Sequence, residues 1–218
     1  MLFRSVRWLV PEQPPPHAPS ENSGLGEVLG HKELMRLNVG VFILHAVQLA
    51  MWVAIPAMLV QAELDKHEHW QIYLPAVLAS FVVMGLVFAM ERRGYLRAAF
   101  LLAVGLIAVV QLALLWLGSM TPSLQALALV LFVFFCGFNV LEATMPSLTS
   151  RVASVSARGT AMGFYNTLQS LGFFAGGWLG GLCAKWYGTQ GIFSSCTLLM
   201  VLWLVVAWPM VVPKPKNA

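Results

Sequence analysis

Six stretches of about 18 or more residues run through this chain without a charged side chain to interrupt them. They cover approximately Leu37–Val60, Ile72–Met90, Ala98–Leu117, Leu124–Ala143 (uncharged as far as Leu141, with Glu142 at its end), Thr160–Ala184 and Gly191–Val212. Crossing the hydrocarbon core of a bilayer takes roughly 20 helical residues, so each stretch predicts one transmembrane helix. Composition agrees: 59% of the 218 residues are hydrophobic and 10% are charged, whereas soluble domains carry about 25% charged residues. The apolar content fills six spans with little left over. That excludes an ordinary water-soluble enzyme and predicts an all-α integral membrane bundle.

The turns between the spans are QAELDKHEHWQ, ERRGYLR, GSMTPS, SLTSRVASVSARG and KWYGTQ, short enough to force neighbours antiparallel. Placing the N-terminus in the cytoplasm puts eleven cations inside: Arg4, Arg7, Lys32, Arg36, Arg92, Arg93, Arg97, Arg151, Arg158, Lys214 and Lys216. Two, Lys66 and Lys185, fall outside. Because basic loops stay cytoplasmic, this bias predicts a multi-pass membrane protein with both termini inside, the membrane being expected to be a bacterial inner membrane. Trp70, Trp116 and Trp186 fall at the predicted outer boundary, where indole rings anchor. The net charge of +4 thus reflects topology, and no nucleic-acid partner is expected.

Residues 1–36 form a cytoplasmic linker. Met1–Val10 runs into Pro11 without the cleavage site of a signal peptide, residues 11–26 are too polar and Pro-rich to order themselves, and Glu27–Arg36 is expected to lie as a short amphipathic helix along the membrane surface. The bundle then occupies 37–212, and 213–218 form a cytoplasmic tail. Cys136, Cys183 and Cys196 lie in or beside apolar stretches, where a thiol acts as a small hydrophobe. No disulfide framework follows.

Polar residues inside spans are costly and face a bundle interior or a wet cavity. Glu142 and His45 therefore come first. At about 1.5 Å per residue, Glu142 lies roughly 27 Å beyond Leu124, near the cytoplasmic edge. That depth favours a charge pair with Arg92, Arg93, Arg151 or Arg158 acting as a latch; proton coupling and a carboxylate reaching headgroups are the other readings. His45 is about 12 Å into the first span with Gln48 on the same face. It either lines a cavity and titrates or is an imidazole bonded to another helix. Pro56 predicts a kink in that helix. Asn139, Asn166 and Gln169 complete the candidate cavity set. Glu91, Arg92 and Arg93, in the inner turn, read as part of a conformational gate or as a topology anchor.

In the fifth span Gly172, Gly176 and Gly180 recur every fourth residue, as do Gly177 and Gly181. Missing side chains at that spacing let another helix approach closely, for tight packing or for a sliding contact between two halves of a larger protein. His67-Glu68-His69 carries metal-ligand types, but adjacent residues in a solvated loop do not converge on one ion. There is no nucleotide-binding loop, Ser/His/Asp arrangement or CxxC, so neither an enzyme nor a metal or cofactor site is expected.

With Glu91-Arg92-x-Gly94 in an inner turn and Glu142…Pro146…Arg158-Gly159-x-Ala161-x-Gly163 leading into a glycine-rich span, residues 25–212 resemble the C-terminal half of a major facilitator superfamily transporter. The stretches LNVGVFILHAVQLAMWVAIPAML and FNVLEATMPSLTSRVASVSARGTAMGFYNTLQSLGFFAGG are similar to YajR-type proton-linked antiporters. The resemblance implies that these are spans seven to twelve of a twelve-helix fold. It places Glu91, Arg92 and Gly94 in the second copy of an inner-loop motif, with Tyr95-Leu96 departing from its basic continuation, and Glu142 and Arg158 in a charge network holding the outward-facing state. It further implies proton-coupled efflux of small organic solutes by alternating access, the solute binding between two halves. The opening MLFRSVRWLVPEQPPP resembles the end of a sixth span and a central linker. The alternative is therefore a truncated or split-gene product, inactive alone, that assembles with an N-terminal six-span half or with itself.

Overall fold

The computed structural model describes residues 24–211, apart from the side chains of residues 86–88 and 91–92. Every regular element among the described residues is helical. A short α1 (Leu25–Gly30) precedes α2 (Lys32–Gln61), a 3₁₀ turn (Lys66–Glu68), α3 (Trp70–Arg92), α4 (Leu96–Leu117), α5 (Leu124–Val152) and α6 (Arg158–Ala207). By length and composition α2, α4, α5 and α6 are able to cross a membrane.

The amphipathic stretch expected as one piece over residues 27–36 is divided at His31, whose backbone is extended (φ −89°, ψ 107°). Its Nδ1 accepts from the Leu34 N–H at 3.4 Å, the role of an N-cap, so residues 32–36 run directly into α2. At the other end of the chain, Gly188 (φ 62°, ψ −156°) breaks α6 into arms 158–187 and 189–207. That left-handed φ costs glycine little. Were α6 straight, residues 183 and 195 would lie about 18 Å apart. Cys183 Sγ and Ser195 Oγ are instead 3.4 Å apart, so the two arms fold back antiparallel. The three cysteines are free and buried.

Close backbone approach fixes the centre of the bundle. A β-carbon at Gly172 would stand 2.5 Å from the Phe42 carbonyl oxygen, one at Gly176 would collide with the Ala46 carbonyl, and one at Gly180 would stand 3.0 Å from Ala50 Cα. The contacts advance together along both helices, so α2 and the first arm of α6 run parallel, packed through bare glycine. Gly177 meets only Leu49 Cδ2 at 3.4 Å and Gly181 meets nothing within 4 Å. The two expected stripes are thus unequal. The Gly172 face is occupied by α2 and is not a free sliding surface, and the Gly177–Gly181 stripe makes no such approach.

The second arm of α6 returns along α2, with Cys196 Sγ 3.9 Å from the Val47 oxygen and the Trp203 indole over Gly40. α4 presents Phe100, Ala103, Val104, Ile107, Gln111 and Leu114 inward, the spacing of one helical face. Outward, Leu102 (67% exposed), Leu129 (63%), Phe174 (74%) and Val205 (68%) form an apolar exterior that suits lipid and not water. At the end carrying the described termini, Arg97 donates from Nε to the Met210 oxygen (3.0 Å) and from Nη2 to the Trp208 oxygen (2.6 Å). Arg36 Nη1 reaches the Pro209 oxygen at 3.3 Å. Glu33 accepts the Val211 N–H at 3.2 Å. Guanidinium groups thus satisfy the orphan carbonyls that follow a helix C-terminus.

Candidate functional site

Three helices bring one polar residue each to a common point. His45 on α2 is 1% exposed. Its Nδ1 lies 2.8 Å from the Val41 carbonyl oxygen; a carbonyl only accepts, so Nδ1 carries the hydrogen. On the other side of the ring, Nε2 lies 2.9 Å from Gln169 Nε2 of α6 and 3.1 Å from Glu142 Oε1 of α5. The carboxylate contact has ion-pair distance without hydrogen-bond alignment, and Glu142 Oε1 has no hydrogen-bond partner among the described residues. Phe173 and Phe138 set their rings edge-on to the imidazole at 4.6 and 6.0 Å, holding it in one orientation.

The height of this cluster differs from the edge position expected for Glu142. His45 stands nearly halfway along the 30-residue α2, and Glu142 is level with it. The span expected to end at Ala143 continues as helix through Pro146 to Val152. Thr144 and Thr149, beyond the expected end of that span, return their hydroxyls to the Val140 and Met145 carbonyls at 2.8 and 2.9 Å and so remain compatible with apolar surroundings.

Among the described side chains the ion-pair contact seen for Glu142 is with His45. Arg151 is about 14 Å further along the same helix, on its last turn. Arg158 opens α6 and donates its Nε to the Ser150 oxygen at 3.1 Å. Arg93 is exposed just beyond α3. Glu91 and Arg92 close α3, and their side chains lie outside the described residues.

Of the remaining candidates, Gln48 is half-buried with Oε1 unpartnered, one turn from His45. Asn139 donates to Ser80 Oγ at 2.6 Å, joining α5 to α3, and the Ser80 hydroxyl passes its hydrogen to the Val77 carbonyl at 2.6 Å. Asn166 is exposed on α6 beside Thr167 and Ser170, away from His45. Buried groups that the sequence reading did not single out include both side-chain polar atoms of Asn38, the Tyr165 hydroxyl and the Tyr73 hydroxyl, which have no hydrogen-bond partner among the described residues. Asn38 had a readable signal, an amide two residues inside the first span; a tyrosine in an apolar run has none, because its ring already belongs there. His67 gathers with Asp65 and Glu68 at the surface, their ligand atoms within 4.8 Å of one another, while His69 turns against Tyr73.

The profile of the Major Facilitator Superfamily matches residues 37–218. The chain is 36% identical over 213 residues to the inner membrane transport protein YajR of Escherichia coli (strain K12), covering 94% of this chain and 46% of that protein. It is 31% identical over 147 residues to an uncharacterized transporter of Buchnera aphidicola subsp. Acyrthosiphon pisum, covering 67% of this chain and 37% of that protein. The chain thus spans half the length of these relatives or less.

Proposed function

The chain belongs to the Major Facilitator Superfamily, and from that premise we propose that it is the second, six-span half of a secondary active transporter of the inner membrane that expels small organic solutes in exchange for protons. The observation that carries this reading is the 3.1 Å approach of His45 Nε2 to Glu142 Oε1 at half the height of α2.

With Nδ1–H committed to Val41, only Nε2 and the carboxylate remain free to exchange a proton. If Nε2 is protonated, it faces a carboxylate and Gln169 turns its carbonyl toward the ring. If Nε2 is bare, it accepts the Gln169 amide hydrogen and the carboxyl holds the proton. Either way the pair is neutral with one proton between its two sites. Removing that proton leaves a carboxylate against an imidazole lone pair, a net negative charge inside the bilayer, which is costly. Glu142 is 34% exposed, so the proton has a path to the bundle surface. Loading and unloading this pair supplies a charge change to which a rocking motion between two halves can couple.

The exposed Asn166 amide supports a partner; the neighbouring Thr167 and Ser170 return their hydroxyls to the Gly163 and Asn166 carbonyls. An exposed amide on a spanning helix is poorly matched to lipid and well matched to another protein body or a wet cavity. The partner is a first six-span half, with no cofactor or metal involved. The experiment is solute-driven proton movement in everted membrane vesicles containing the transporter with both halves. Glu142→Gln is expected to abolish solute-induced collapse of the pH gradient while solute binding persists. An unchanged collapse would remove proton coupling through this pair.

A further inference from the structure

At the end of the bundle remote from the described termini, the last turns of α2 and the first turns of α3 leave an open cleft of about 640 Å³. Its aromatic wall is ordered. The Trp52 and Tyr73 rings meet edge to face at 5.0 Å and 89°, and His69 sets its ring 5.9 Å from Tyr73 at 78°. Trp70, Lys66 and His67 stand around them. An exposed Trp70 alone would be an ordinary membrane-boundary anchor.

Two atoms in the wall are not explained by packing. The Tyr73 hydroxyl and His69 Nε2 are buried and have no hydrogen-bond partner among the described residues, and His69 is only 7% exposed. Buried polar atoms are ordinarily satisfied, so a cleft that keeps two unsatisfied beside edge-to-face rings is built to receive a group that hydrogen-bonds. Charge selects which group. The lining holds the Lys66 ammonium, the phenol hydroxyl and indole N–H groups, and no carboxylate. The neighbouring acids Asp65 and Glu68 gather with His67.

We propose that this cleft is a binding site for a flat aromatic carboxylate, its ring against Trp52 and Tyr73 and its acidic oxygens toward Lys66 and the Tyr73 hydroxyl. Trp52 lies about 10 Å along α2 from His45, so the site is separate from the proton-holding pair and does not rest on that reading. Aromatic stacking gives affinity for the ring, and the donor set discriminates the anion from a neutral analogue.

Equilibrium dialysis on the full chain in detergent tests this with 1-naphthoate, 1-naphthylmethanol and cyclohexanecarboxylate. Naphthoate is expected to bind saturably and at least about tenfold more tightly than either comparator. Tyr73→Phe, which keeps the ring and removes the hydroxyl, weakens naphthoate about fivefold. Lys66→Gln brings the acid and the alcohol within about twofold of one another. On the unaltered chain, naphthoate protects Trp70 from hydroxyl-radical oxidation and leaves the comparably exposed Trp116 unprotected, a readout that does not depend on any variant folding. Equal binding of acid and alcohol, or equal oxidation of Trp70 with and without naphthoate, overturns the proposal. Binding displaced by phosphatidylglycerol but indifferent to Tyr73→Phe overturns it in favour of a lipid headgroup.

Discussion

The indole of Trp203 lies so flat against the bare Cα of Gly40 that a β-carbon there would stand 2.6 Å from Nε1 and 2.9 Å from two ring carbons. Trp203 is fully buried and meets Phe100 edge to face on its other side, so it has no room to retreat. Gly40→Ala is expected to destabilise the detergent-solubilised protein by about 1–3 kcal/mol, the range for overpacking a core. Gly176→Ala, which drives a methyl into the Ala46 carbonyl, behaves likewise. Gly181→Ala, with open space around it, leaves the thermal midpoint unchanged. Equal midpoints for all three would show that the seam is looser than described.

His45 and Glu142 are expected to be coupled energetically. Interhelical polar contacts in membranes average about 0.6 kcal/mol and reach about 1.7 kcal/mol; with two charge-capable groups at 3.1 Å, a double-mutant cycle of His45→Gln and Glu142→Gln on unfolding should give about 1 kcal/mol. Strict additivity would mean that the two side chains do not act as a pair.

The Ser80–Asn139 hydrogen bond joins α3 to α5. Ser80→Ala removes the acceptor for the Asn139 amide, and a loss of about 0.5–1 kcal/mol is expected, together with faster amide exchange in α3. Unaltered exchange would place the α3 contact elsewhere.

Gly188 carries the reversal in α6 at φ 62°. Gly188→Ala forces a β-carbon into a backbone region (φ 62°, ψ −156°) that essentially only glycine occupies and is expected to cost about 1–3 kcal/mol. Gly188→Asn should fare no better, because asparagine tolerates positive φ only where ψ lies near about +45°. The comparison is made by the thermal midpoint of each purified variant.

Much of this fold is legible in the chain because its signals are one-dimensional. Apolar run length gives the helices, and Gly188 within KWYGTQ gives the reversal. Gly172, Gly176 and Gly180 announce a close approach by spacing alone. What their chemistry could not say is which helix approaches, or that Gly177 and Gly181, on the same four-residue period, would be left without one. Glu142 is the sharper case. Its depth, counted from Leu124, puts it at the end of a span expected to stop at Ala143, near the cytoplasmic edge. Once threonine hydroxyls fold onto carbonyls within the helix, that boundary dissolves. The carboxylate then pairs with a histidine 97 positions earlier in the chain, a relation created only by the crossing of α2 and α5.

Arg36 and Arg97 grip the tail that follows α6 at the same stretch, Trp208 to Met210, from two different helices. Any displacement of the base of α2 against the base of α4 must therefore drag that tail or let it go. The end of α6 is in this sense a gauge: a spin label at Val211 would register as a change in tumbling the moment when the two bases part, without touching the polar interior at all.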